Sequence, residues 1–322
     1  MTGFVEQSAA RSASTSPIAI REGLDQWERV RARALNLLGA EAFDTAWVAR
    51  LTQLTTEIGQ AAEHSPDVGL YFLLNEKIND PEHYSALHAI CCALIAHLAA
   101  RWLEWPEAEV NCAVQVALSM NISMTRLQDL LAQQMVPISA TQKTLVSSHA
   151  QRSVELLQGA GVVDPVWLDA VGQHHTVNAA QEGEAVAPAV RIAELIRRVD
   201  VYAAKLSRRR TRSAVTPAMA ARDACLGPGG NPDALGTTLL RVLGLYPPGT
   251  YVELASGEFG VVVRRGERAH TPVVACLKRA DGVPLMAPRR RDTAVRANAV
   301  KRGVDASVLR VRLNHADVLK AA

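Results

Sequence analysis

The chain has 322 residues, of which 48% are hydrophobic and 21% charged, with a formal net charge of +3. That length suits two or three domains rather than a minimal one, and the balance is an ordinary globular one able to bury a sizeable core. Five cysteines, an odd number without small-scaffold spacing, exclude a disulfide framework and fit a reducing cytoplasm, while 4% aromatics leave the core to Leu, Val, Ala and Ile.

Residues 1–17 are rich in Ser, Ala and Thr and read as a disordered lead-in rather than a signal peptide. Residues 18–80 read as helix, with apolar positions at spacings of three and four (Leu24, Trp27, Val30, Ala34, Leu37, Leu38) and breaks at Pro66 and Pro81. They carry no chemical motif. A strongly apolar helix follows over 83–103, in which Cys91 and Cys92 are expected to pack as small hydrophobes. Its most apolar stretch, 89–100, contains His97 and falls short of the about 20 residues a bilayer needs, so no membrane is expected.

Pro106 opens the next helix, with Glu107 and Glu109 in the first turn where carboxylates suit the dipole, and it runs towards Met124. Trp102 and Trp105 flank that break and are expected to anchor packing rather than bind a ligand. Further helices are predicted over 126–134, 139–158, 165–175, 188–206 and 216–225. After Gly244 the character changes. A turn at 246–249 leads into short strands over 250–254, 259–265 and 271–278, then a basic tail. The expected class is mainly α, organised as a lead-in and N-terminal helical region (1–80), a helical domain (81–245), and a small C-terminal β appendix with its tail (246–322).

Charge is uneven along the chain. Residues 288–322 hold nine Lys/Arg against three Asp, and residues 191–212 hold eight Lys/Arg against two acids. Both stretches suit either an anionic partner or a solvated basic face. Sparse aromatics and no recognised reading motif weigh against nucleic acid.

Histidines carry the chemical signal. His88 lies on the first strongly apolar helix, His149 is expected mid-helix, His174 and His175 are adjacent at a helix end, and Asp200 sits on an otherwise apolar and basic helix. Imidazoles and carboxylates converging inside a helix bundle are how such folds hold transition metals.

The order and context of these residues resemble the HD-GYP branch of the HD-domain phosphohydrolases, a group of cyclic di-GMP phosphodiesterases. The likeness rests on Tyr84-Ser85-Ala86-Leu87-His88, on Ser148-His149-Ala150 with Ser153 to Leu157, on Val171-Gly172-Gln173-His174-His175, on Arg191-Ile192 through Asp200-Val201-Tyr202-Ala203-Ala204, and on Leu243 to Thr250 with Val252-Glu253-Leu254 and Gly257-Glu258. It implies an HD-type helical bundle, metal ligands at His88, His149, His174, His175 and Asp200, and phosphate contact by Arg209 and Arg212, whose forked guanidinium groups suit phosphate oxygens.

Departures from the pattern bear on activity. The family's adjacent His-Asp pair falls where this chain has Met120 and Asn121, Met124 replaces a lysine, Thr176 follows His175 where a Glu is expected, and the Gly-Tyr-Pro loop is absent from a shortened connection through Asn178, Ala179 and Gln181 to Pro188. Two close metal ions repel unless a bridging carboxylate offsets them. Asn121 offers only a neutral amide, and Met120 a thioether poorly matched to iron or manganese. A binuclear centre is therefore not expected. His149, His174 and His175 are left to hold one divalent ion (Fe, Mn or Zn) or none, with His88 and Asp200 as the remnant of a second set. The resemblance implies a cytoplasmic, catalytically degenerate signalling protein that binds cyclic di-GMP or a protein partner. The competing reading is a phosphodiesterase with a reduced metal site.

Overall fold

A computed structural model describes residues 16–176, 186–206, 217–226, 230, 233–309 and 314–322. Helix α1 (Pro17–Leu38) starts at a Ser16 cap with Pro17 in its first turn, and its apolar spacing becomes a buried stripe containing Leu24, Trp27, Val30, Ala34 and Leu37. Asp44 caps α2 (Thr45–His64), and Pro66 opens α3 (Pro66–Asn79). Trp27 ties the first and third helices together: its indole N–H donates to the Ser65 carbonyl and hydroxyl oxygens, both at 3.2 Å. Gly69 makes room for that ring, since a Cβ there would stand 2.4 Å from it.

Helix α4 (Tyr84–Trp102) is buried on nearly every side and is the axis of the fold. Around it pack α1, α2, α3, α5 (Glu107–Ser119), α6 (Thr125–Gln133), α10 (Pro188–Leu206) and α12 (Ala234–Leu243). With its short lead-in it is longer than the apolar stretch seen in the sequence, and by length and composition it meets the requirement for a membrane span. Of its most apolar window, however, 89% is buried inside the protein, so its apolarity is spent on the core.

The expected helix over 139–158 is two helices, α7 (Ala140–Ser147) and α8 (His149–Gly159). The chain breaks at Ser148, whose hydroxyl bonds back to the Thr144 carbonyl at 3.0 Å. This puts His149 at a helix start instead of mid-helix. Helices α9 (Pro165–Gln173) and α11 (Pro217–Cys225) complete the helical body.

The three expected strands form, as β1 (Tyr251–Leu254), β2 (Phe259–Arg264) and β3 (Val273–Lys278). The expected basic tail is largely structured. Residues Pro284–Asp292 and Val300–Val304 are β4 and β5, the two edges of an antiparallel sheet ordered β4-β3-β2-β1-β5, and α13 (His315–Leu319) packs on α1. Several tail cations are paired: Arg291 bonds Glu258 at 2.7 Å, and Lys301 and Arg302 bond Glu253 at 2.6 and 2.7 Å. The sheet alternates with period two. Tyr251, Val261, Val263, Val273 and Ala275 join the main core, while Val252, Leu254, Val262 and Val274 form a small core on the other face.

The two tryptophans at the α4–α5 break part company. Trp105 packs against the main core with the Arg191 guanidinium 5.3 Å above its ring. Trp102 is 56% exposed, contrary to the expected anchoring role, because it is the last residue of α4 and projects beyond the buried body of that helix.

Candidate metal centre

Three imidazoles meet where α8 and α9 pack together. His149 opens α8, His174 caps the end of α9, and His175 follows it. The His149 Nε2 lies 3.2 Å from the Nε2 of His174 and 3.2 Å from that of His175. On the outer side, His149 Nδ1 lies 2.5 Å from the Val146 carbonyl and His174 Nδ1 lies 2.6 Å from that of Val171. A carbonyl only accepts, so each of these Nδ1 atoms donates, and a neutral ring then has a bare Nε2. The inner contact between His149 and His174 is therefore lone pair against lone pair. A cation between them relieves it, and two nitrogens at zinc bond lengths on a tetrahedron stand roughly 3.3 Å apart.

Electrostatics keep these donors ready. Burial pushes the His174 imidazole down to about 3, with the neighbouring His175 acting in the same sense. Burial also holds His149 below its usual value, partly opposed by its bond to Val146. Neutral imidazole is the form that binds metal. His175 is exposed, so the cluster has an open side of the kind catalytic and ligand-exchanging metal sites keep. The orienting carbonyls lock ring direction, as second partners do in metal sites generally.

A second cluster lies between α4 and α10. One donor atom each from His88, Cys92 and Asp200 lie within 4.8 Å of one another. His88 Nε2 is 2.7 Å from Asp200 Oδ1 and 3.5 Å from Cys92 Sγ. Burial acts to raise the Asp200 carboxyl, but its hydrogen bond with His88 and the electrostatic influence of the His88, His174 and His175 rings outweigh it and keep the group well below the usual carboxylate range. Asp200 is thus an electrostatic neighbour of both clusters. Burial pushes the Cys92 thiol well up. Behind His88 lies Lys77, 2% exposed, with Nζ 3.3 Å from His88 Nδ1 and 3.1 Å from the Ala203 carbonyl oxygen.

The structure therefore gathers His149, His174 and His175 into one group and His88 and Asp200 into another. Cys92, read from sequence as a packing residue, joins the second group. Its position four residues after His88 on one helix was the available signal. Lys77 had no such signal, because a turn and a short 3₁₀ segment separate it from His88. Met120 and Asn121 are buried at the end of α5, with Met120 in the main core. The turn just after them reaches the first cluster, for the Ser123 hydroxyl donates to the His149 carbonyl at 2.8 Å. Arg209 and Arg212, and the connection containing Asn178, Ala179 and Gln181, lie outside the described residues.

Over 233 residues the chain is 27% identical to a cyclic di-GMP phosphodiesterase of Pseudomonas aeruginosa, an alignment covering 71% of this chain and 55% of that protein. The chain thus spans about half the length of the curated relative it matches. No protein-family model matches the chain, and no solved structure does.

Proposed function

We propose that this chain is an HD-GYP-like protein of cyclic di-GMP signalling, built on an HD-type bundle. It holds a single divalent ion on His149, His174 and His175 and binds cyclic di-GMP without hydrolysing it efficiently. The observation that carries the reading is the convergence of three Nε2 atoms, two of them stripped of hydrogen by backbone carbonyls on the far side of the ring. Similarity to a cyclic di-GMP phosphodiesterase supports the choice of ligand. An ion there would act as a Lewis acid towards a phosphate oxygen or a bound water. Met120 and Asn121 supply neither an imidazole nor a bridging carboxylate, which is why efficient hydrolysis is not expected. Phosphate contact is assigned to Arg209 and Arg212, whose side chains can fork onto an anion.

A second reading, a slow phosphodiesterase with a reduced metal site, draws on Asp200, a carboxylate held well below its usual range and coupled electrostatically to all three histidines. Metal analysis of the purified chain, a calorimetric titration with cyclic di-GMP with and without chelator, and chromatography of the products separate the two. The first reading expects one ion per chain, saturable binding and negligible product. Chelator-sensitive turnover at about 1 per second or faster, a rate ordinary for enzymes, would establish the second. Absence of both metal and binding would dismiss both.

A further inference from the structure

The second cluster contains a built-in cation. An ammonium has donors only, so where Lys77 Nζ meets His88 Nδ1 the ring nitrogen must accept. The one N–H of the neutral imidazole is then on Nε2, where it faces Asp200 Oδ1 at 2.7 Å. An ammonium, an imidazole and a carboxylate form a relay from α3 through α4 to α10. The Tyr84 ring completes the enclosure, stacked on His88 with centroids 5.6 Å apart and 5.4 Å from Lys77 Nζ. Burying an ammonium is costly unless a counter-charge is near, and Asp200 supplies it across the ring.

We propose that Lys77 stands in for a metal ion at the His88–Cys92–Asp200 cluster and keeps that cluster metal-free. The donor atoms are near enough to share an ion. While Lys77 donates to Nδ1, however, the His88 lone pair that would bind metal is occupied by hydrogen. A divalent ion would also stand against a buried positive charge, and such repulsion is strong away from water. The sequence alone assigns the loss of a second ion to Met120 and Asn121; Lys77 is a separate cause on a different helix. The inference shares the single-ion count with the reading above but concerns a different donor set, and the test separates the two.

The experiment is a Co²⁺ titration of the full chain carrying Lys77→Met, which keeps side-chain length and removes the charge, in the wild-type and the His149→Ala backgrounds. The expected result in each is one additional Co²⁺ over its parent, with a thiolate-to-cobalt absorption band from Cys92 that disappears on adding Cys92→Ser. A folded Lys77→Met chain that gains no ion overturns the proposal, as does a parent chain already showing the Cys92-dependent band. If the His149, His174 and His175 reading fails instead, the parent binds no Co²⁺ while the Lys77→Met increment remains. Should Lys77→Met not fold, nitrogen NMR of His88 in the wild-type chain decides: hydrogen on Nε2 is expected, and hydrogen on Nδ1 overturns the assignment.

Discussion

At the scale of single residues, what a histidine can do depends on what its far nitrogen touches. His149 and His174 turn Nδ1 to carbonyls and present bare nitrogens to each other, whereas His88 is fed a hydrogen bond by Lys77 and presents an N–H. Metal retention is therefore expected to vanish in His149→Ala and to change little in His88→Ala, as read by metal content after dialysis. Retention that followed His88 and ignored His149 would reverse the assignment. His97 is a third kind: 4% exposed, neither ring nitrogen has a hydrogen-bond partner among the described residues, and burial lowers its affinity for a proton. The folded chain holds it neutral, while the unfolded chain begins to protonate it near 6.5. Its stability contribution is therefore present above about pH 6.5 and is lost as pH falls below that towards the folded value. Melting temperatures of the wild-type and His97→Leu chains from pH 7.5 to 5 check this; the wild type should lose more stability across that window. The catalytic-looking histidines were legible in the sequence because each stands in a helix context that a bundle brings inward. Their hydrogen-bond partners were not, since a carbonyl three residues back or a lysine on another helix leaves no trace in spacing.

At the scale of elements, apolar periodicity was a good guide to where helices run and a poor one to where they stop. The stripe through Leu24, Trp27 and Val30 is buried as its spacing implies, but the break at Ser148 depends on side-chain bonds to preceding carbonyls within a stretch whose pattern is continuous. Strands β4 and β5 escaped notice for a related reason. Strand β4 is mostly exposed on both faces and carries two prolines and an arginine run, so it lacks alternation, and pairing with β3 is what makes it a strand. Two tryptophans show how position in an element sets energetic weight. Trp27 is fully buried between α1 and α3, and Trp27→Ala should cost about 3–5 kcal/mol. Trp102 hangs off the end of α4, and Trp102→Ala should stay within about 0.5 kcal/mol, as surface changes do. Denaturant titration of both variants measures the contrast; equal losses would mean that Trp102 is covered in solution.

At the scale of the whole molecule, the question is whether the sequence's three regions are three folding units. Composition changes sharply at the Gly244 boundary, which suggests an appendix, yet the buried apolar residues of the N-terminal helices, the α4 body and the inner face of the sheet belong to one continuous core. Polar ties cross the same boundaries. The Tyr251 hydroxyl donates to Asn75 Oδ1 at 2.6 Å, Arg265 bonds Asp67 at 2.5 Å, and Gly249, at φ +94°, brings the sheet against Tyr71 and Leu74 of α3. The chain end returns as well: Val318 and Leu319 on α13 are buried in that core, and His315 Nδ1 lies 3.1 Å from the Tyr71 hydroxyl. Elements that share a core and exchange hydrogen bonds gain stability from one another, so their unfolding free energies are coupled. Leu319→Ala should accordingly cost about 2–5 kcal/mol. Its effect should appear in hydrogen exchange as loss of protection in α1 and α3 together with the sheet, not in α13 alone. Calorimetry of the wild type should show a single transition that moves down intact in the variant. A variant that sheds only its last helix, or a wild type that melts in separate steps with the sheet departing first, would show that the β region is an independent unit resting on the helical body.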